Sequence, residues 1–218
     1  MEYSLHRQLK SLYADDESQT EVSVGRYRVD AVRDGELVEI QHAALGAIRD
    51  KIGYLLKEHD VRVVKPLLHR RTLVTCTKKG RVLRRRQSPK RGDPLELFEE
   101  LVHFTRVFPH PRLTLELLLV NVEEWRVPAP RRWRRKYEVQ DRRLLEIAAE
   151  QRLRTTDDLR AFVGAKLPDP FDTQEMATAI GVDRFFAQQI AYCLRKTGAA
   201  RQVGKRGNAL LYSFADAA

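Results

Sequence analysis

The sequence predicts an α/β protein in two parts. An N-terminal α+β domain is built on a mixed sheet, and a small helical domain ends in a hairpin. Three observations carry this. Asp34-Gly35 stands between two apolar-rich runs within Tyr27–Gln41, the strongest short hairpin signal a sequence offers. An amphipathic stretch, Ala43–His59, separates that hairpin from the β-branched run Val61–Pro66, the order of a helical crossover between strands. Asp172 and Asp183 then open two helical patterns parted by Gly181, and a turn-bearing segment closes the chain.

The elements follow in order. Leu5, Leu9 and Leu12 predict a short helix over Ser4–Ala14, with Ser4 as its cap. Glu21–Val24 reads as a strand, and Gly25 turns into the hairpin. Thr72–Thr77 and Arg81–Arg86 predict a second hairpin around Lys78-Lys79-Gly80. Pro94–Phe104 reads as a helix capped by Asp93, and Leu113–Val122 as a buried strand. Trp125–Arg143, with eight Arg/Lys, reads as a linker, and Arg142–Leu153 and Asp157–Val163 as helices. Two prolines make Leu167–Phe171 a loop. The expected boundaries are 1–125 for the sheet domain, 126–140 for a basic linker and 141–218 for the helical domain.

The composition narrows the function classes. Net charge is +10 with a pI of about 9.8, which points to a polyanionic partner. Only two cysteines, Cys76 and Cys193, are present, and they fit neither a zinc spacing nor a disulfide framework. A cytoplasmic location is therefore expected. The first residues lack the apolar core of a signal peptide, and no apolar run approaches the ~20 residues of a membrane span. Nucleic acid leads over membrane as the partner.

The hairpin carries the chemistry. A two-residue turn at Asp34-Gly35 sets Arg33 opposite Glu36, Val32 opposite Leu37, Ala31 opposite Val38 and Asp30 opposite Glu39. Val29, Ala31, Val38 and Ile40 then share an apolar face, while Arg28, Asp30, Val32, Leu37, Glu39 and Gln41 share the other. Facing carboxylates repel, so a divalent cation is the obvious neutraliser. The bland alternative is a solvated pair balanced by Arg28.

The helix–strand–hairpin–helix–strand order and the D-x8-E-x-Q spacing of Asp30, Glu39 and Gln41 resemble the PD-(D/E)xK nuclease superfamily, closely over residues 1–70 and loosely over 71–125. The resemblance implies a restriction-endonuclease-like fold and a Mg²⁺ or Mn²⁺ cofactor. Asp30, Glu39 and the Ile40 carbonyl would be metal ligands, and Gln41 would orient the attacking water. Val29 stands where the motif has Pro, and Gln41 where it has Lys. Gln41 can neither carry positive charge nor act as a base. The superfamily's acid on the first helix would be Glu2, with Glu21 a rival. His6 and His42 lie near the site, and each reads first as an ordinary surface or half-buried histidine. Lys51 reads first as an exposed helix charge.

Two basic surfaces follow. Lys78–Arg91 holds eight basic residues and no acid. Lys78, Lys79, Arg84, Arg85, Arg86, Lys90 and Arg91 would track phosphates, against the usual reading of a charge run as a solvated face. Asp172–Phe214 resembles a winged helix-turn-helix. Phe185, Phe186, Ile190 and Leu194 would face its core, Arg184 and Gln188 would reach bases, and Lys205 and Arg206 in the wing would touch phosphate. The alternative use of such a module is protein contact or dimerisation. The whole chain also resembles a bacterial family on SLHRQLK (Ser4–Lys10), EIQ (Glu39–Gln41), SPKRG (Ser88–Gly92) and GKRGNALLY (Gly204–Tyr212).

The expectation is thus a Mg²⁺-dependent deoxyribonuclease acting on duplex or branched DNA. A homodimer is compatible with the sequence. The alternative is a catalytically inactive, nuclease-fold DNA-binding regulator or scaffold. An RNA-processing role is weaker, because aromatics are only 8% and sit mostly at core spacing, leaving no stacking surface.

Overall fold

A computed structural model describes residues 3–14, 16, 19–129, 136–164 and 166–215. The protein is mixed α/β, with a large mixed sheet. The chain opens with helix α1 (Ser4–Tyr13) and strands β1 (Thr20–Val24), β2 (Tyr27–Arg33) and β3 (Glu36–Ile40). A 3₁₀ turn leads into α2 (Arg49–Leu55), followed by β4 (Val61–Cys76) and β5 (Val82–Gln87). Another 3₁₀ turn precedes α3 (Leu97–Leu101), and then come β6 (Leu113–Pro128) and β7 (Tyr137–Leu153). Helices α4 (Thr156–Val163), α5 (Thr173–Ile180) and α6 (Arg184–Thr197) precede a hairpin, β8 (Ala200–Arg206) and β9 (Ala209–Phe214).

The seven-stranded sheet runs β1-β2-β3-β4-β6-β7, with β5 paired to β4. The first hairpin has the expected register, Arg33↔Glu36, Val32↔Leu37 and Ala31↔Val38. Asp34 and Gly35 both take positive φ, 51° and 80°, as a two-residue turn with the strands' twist requires. The apolar face of the hairpin is buried as expected: Ala31, Val38 and Ile40 pack with Leu5, Leu9 and Tyr13 of α1 and with Val64, Leu118, Val120 and Val122 of the central strands. Burial of such side chains contributes roughly 1.5–3 kcal/mol each.

Several expectations are corrected. Arg142–Leu153 is strand, not helix. The linker expected at 126–140 does not stand as drawn, because 126–128 continue β6 and 137–140 begin β7. RRLLEIAAEQRL has good helix formers, but β6 is apolar and buried over most of its length, and its backbone needs a partner on that side. Sheet pairing outweighs local propensity. The runs Val61–Pro66 and Thr72–Thr77 join into one strand, β4. Ser4 does not cap α1 with its own side chain, since the capping position is Tyr3. The helix expected over Pro94–Phe104 after Asp93 is a 3₁₀ turn, Pro94–Glu96, followed by the short α3. Phe185 is 71% exposed rather than in the core, while Ile190 and Leu194 are fully buried and Phe186 is half-buried.

The chain divides into two compact units, and neither is a continuous segment. One comprises Met1–His42, Arg62–Pro94 and Glu116–Gln151, and the other Ala43–Val61, Leu95–Leu115 and Arg152–Ala218. This division does not follow the expected boundaries at 125 and 140. In the second unit α3 joins the C-terminal helices, with the Cys193 thiol 3.7 Å from the Phe98 carbonyl. Among the described residues no helix is long and apolar enough to cross a membrane.

Candidate functional site

The candidate site is centred on Asp30, and its surroundings explain the SLHRQLK segment. In α1 the spacing i, i+4 puts His6 and Lys10 on one side of the helix, while Leu5 and Leu9 enter the core. Asp30 Oδ1 lies 3.1 Å from His6 Nε2 and 3.3 Å from Lys10 Nζ. Its Oδ2 accepts the Ile40 N–H at 2.8 Å. Burial pushes the Asp30 carboxyl up, but the hydrogen bonds from His6 and Ile40, with the charges of His6 and Lys10, outweigh it and hold it below its ordinary value.

The flanking pairs Thr20↔Ala31 and Val22↔Val29 set Glu21 opposite Asp30 on β1, while the β2–β3 pairs run from Arg33↔Glu36 to Ala31↔Val38 and Asp30, one residue on, takes the Ile40 N–H with its side chain. Glu21 takes a left-handed φ of 56°, rare for a residue with a side chain. Its carboxylate pairs with Lys10 and, at 2.9 Å, with Arg28. Lys10 therefore bridges two acids. The expected balance by Arg28 falls on Glu21. Glu39 is buried at 7% exposure. The Gln41 N–H donates to the Val64 carbonyl at 2.9 Å, tying the end of the motif to β4. Glu2 lies outside the described residues. Lys51 lies on α2, in the other unit.

Two further groups stand at the site, one that sequence reasoning misses and one that it reads as ordinary. Lys65, the residue after Val64, is only 2% exposed, and its Nζ reaches the His42 carbonyl at 3.4 Å. A lysine inside the β-branched run VRVVKP is the available signal, because lysine is almost never buried without a polar partner. His42 packs 5.2 Å from the His6 ring, centroid to centroid. Burial lowers its pKa to about 4, helped by the charges of His6, Lys65 and Arg142, so it is neutral at physiological pH. Among the described residues no group of three or more His, Cys, Asp or Glu side chains is arranged to hold a metal ion. The donor chemistry of Asp30 and Glu39 nevertheless suits a hard cation, which Mg²⁺-type sites commonly bind through one or two carboxylates plus waters.

The basic surfaces are sorted by pairing. Lys78 and Lys79 are exposed in the β4–β5 turn, where Gly80 takes φ 85°. Strand alternation sends Arg85 to one side of β5, where its guanidinium pairs with Glu123, and Arg84 and Arg86 to the other. Lys90 and Arg91 are exposed in the loop after β5. In the C-terminal unit Arg184 and Gln188 are exposed at the start of α6, and Lys205 is exposed in β8. Arg206 is held by α5 instead: its Nη1 donates to Glu175 Oε1 at 2.8 Å and lies 3.8 Å from Asp172.

The chain belongs to the family described as a domain of unknown function, DUF8091, which matches residues 3–154. It is also 31% identical over 216 residues to an uncharacterised protein of Treponema pallidum (strain Nichols), an alignment covering 97% of this chain and 84% of that protein. No solved structure matches it.

Proposed function

We propose that the protein is a metal-dependent deoxyribonuclease, with Asp30 and Glu39 as ligands and a C-terminal module that holds DNA. The carrying observation is the Asp30 carboxylate bound to the N–H of Ile40, the residue between Glu39 and Gln41. The order α1-β1-β2-β3-α2-β4 supports a restriction-endonuclease-like core around them. Mg²⁺ or Mn²⁺ bound there supplies polarisation of a phosphoryl oxygen and a more acidic water. The chain's own residues do the positioning. The Ile40 N–H and His6 orient the Asp30 carboxylate, and the Ile40 carbonyl offers a further oxygen. The Gln41 amide orients a water by hydrogen bonding, and Lys65 supplies the positive charge that Gln41 lacks.

The C-terminal reading is a winged helix. Its support is the order α4, a single bridge from Phe171 to Tyr212, α5, α6, and the β8–β9 hairpin. Arg184 and Gln188 on α6 face bases and Lys205 on the wing meets phosphate. A DNA-binding regulator that does not cleave is the second reading. It is favoured by the Lys10 ammonium, which already stands 3.3 Å from Asp30.

The test is incubation of labelled duplex, branched and single-stranded DNA with Mg²⁺ or Mn²⁺. Wild type is expected to cleave, and Asp30→Ala and Glu39→Ala to lose at least about a hundredfold in rate, since metal stabilisation is several kcal/mol. Binding by wild type without cleavage in either metal rejects the nuclease and leaves the regulator.

A further inference from the structure

The SPKRG segment takes no part in the acidic site, yet its geometry is tightly specified. A Cβ at Gly92 would lie 2.4 Å from the Leu68 carbonyl oxygen, so only glycine lets the loop close against β4. The loop is held by Ser88 N–H donating to the Arg71 carbonyl at 2.8 Å and by Gly92 N–H donating to the His69 carbonyl at 3.0 Å. The Ser88 hydroxyl oxygen accepts the Lys90 N–H at 3.3 Å.

Beside this closed loop and the β4–β5 ladder lies a cavity of about 440 Å³. Four arginines line it, Arg70, Arg71, Arg86 and Arg91, together with Thr72 and Ser88. The register Thr72↔Gln87 and Leu73↔Arg86 brings the two strands' contributions together. Among the described residues Glu124 answers them, 3.9 Å from Arg71. Among the described residues Arg70 and Arg91 make no ion pair. Four arginine residues thus line a concavity with far less than their counter-charge among the described residues.

We propose that this cavity binds a phosphomonoester, the doubly charged phosphate of a nucleic-acid end or of a free nucleotide. Guanidinium forks match phosphate oxygens in bidentate pairs, and arginine is the preferred residue for this. A concave site concentrates the field of its charges on a compact ligand. A phosphodiester strand spreads single charges along its length, which suits an exposed ridge such as the β4–β5 turn better than a pocket. The volume also admits a phosphate with its sugar, since small-molecule sites begin at about 300 Å³. The DNA end as source rests on the function proposed above, whereas the phosphate chemistry does not.

The test measures binding by the full chain in EDTA, so cleavage plays no part, at constant ionic strength. Matched duplexes carry a terminal phosphate or a hydroxyl at the 5′ end, and deoxyadenosine monophosphate and inorganic phosphate are titrated separately. Arg70→Gln/Arg91→Gln is compared with Lys78→Gln/Lys79→Gln, which removes equal charge outside the cavity, and melting curves check that both fold. Phosphorylated duplex is expected to bind about tenfold tighter than its hydroxyl counterpart, the size of one charge-assisted contact. The preference should vanish in the first double variant and persist in the second. Titration by the mononucleotide or phosphate with the same variant pattern, but no end preference, assigns the cavity to a free phosphomonoester. If this occurs with no duplex binding, the DNA reading fails while the cavity assignment stands. Absence of both the end preference and the titration, or equal loss in the two double variants, overturns the proposal.

Discussion

Asp30 and His42 lie together and push stability in the same direction as the pH falls. His42 has a folded pKa of about 4, below its ordinary 6.5, because burial and nearby positive charge oppose its protonation. Its contribution is complete above pH 6.5 and is lost as the pH falls from there towards 4, a change on the order of a few kcal/mol. Asp30, held below its ordinary 3.8, adds a further loss as the pH falls through its own folded value. Urea unfolding between pH 7 and 4.5 should therefore show declining stability, flattened in His42→Gln. A flat wild-type profile over that range contradicts the environment described for His42. The hairpin register from Arg33↔Glu36 to Ala31↔Val38 was legible because a two-residue turn dictates the next few pairs. His6 was placed near the site but not on Asp30, and Lys10 was not placed there at all, because both come from a helix that the local sequence does not aim. The i, i+4 spacing of His6 and Lys10 was the one local trace of them.

The helices show how much of an element's stability comes from outside it. Asp141 on β7 accepts both the N–H of Ser4 at 2.9 Å and its hydroxyl at 2.8 Å, so a strand supplies the acceptor at the start of α1. Asp141→Ala should cost about 1 kcal/mol, as losing an N-terminal cap does, seen as a lower urea midpoint at unchanged slope. Helix α5 carries its own capping box, Asp172 with Glu175, as its sequence predicts. Glu175 also holds Arg206, so Glu175→Gln should keep the cap, free the guanidinium and tighten DNA binding at low salt. Unchanged or weaker binding would mean that Arg206 meets no phosphate. Capped helices and tight turns were legible because their determinants lie within a few residues. β7 was not: its residues favour helix, and its pairing with β6 settles the matter.

The molecule as a whole carries +10, so its association with a polyanion should depend steeply on salt. Lys205→Gln should reduce the slope of log affinity against log salt by about 0.9, one phosphate contact, with little change between DNA sequences. An unchanged slope would remove Lys205 from the interface. The two compact units are each assembled from three separated stretches of chain, which no boundary drawn along the sequence could describe. By itself the sequence determined the Asp34-Gly35 hairpin and its register, the capped helices α5 and α6, and the terminal hairpin with its basic tip. Each depends on backbone preference and side-chain bonding over short separations. Only the tertiary structure decided that β7 is a strand, that His6 and Lys10 meet Asp30, and that four arginines surround one cavity. Those outcomes depend on contacts such as Ser4 with Asp141, 137 residues apart, where packing and pairing outweigh local propensity.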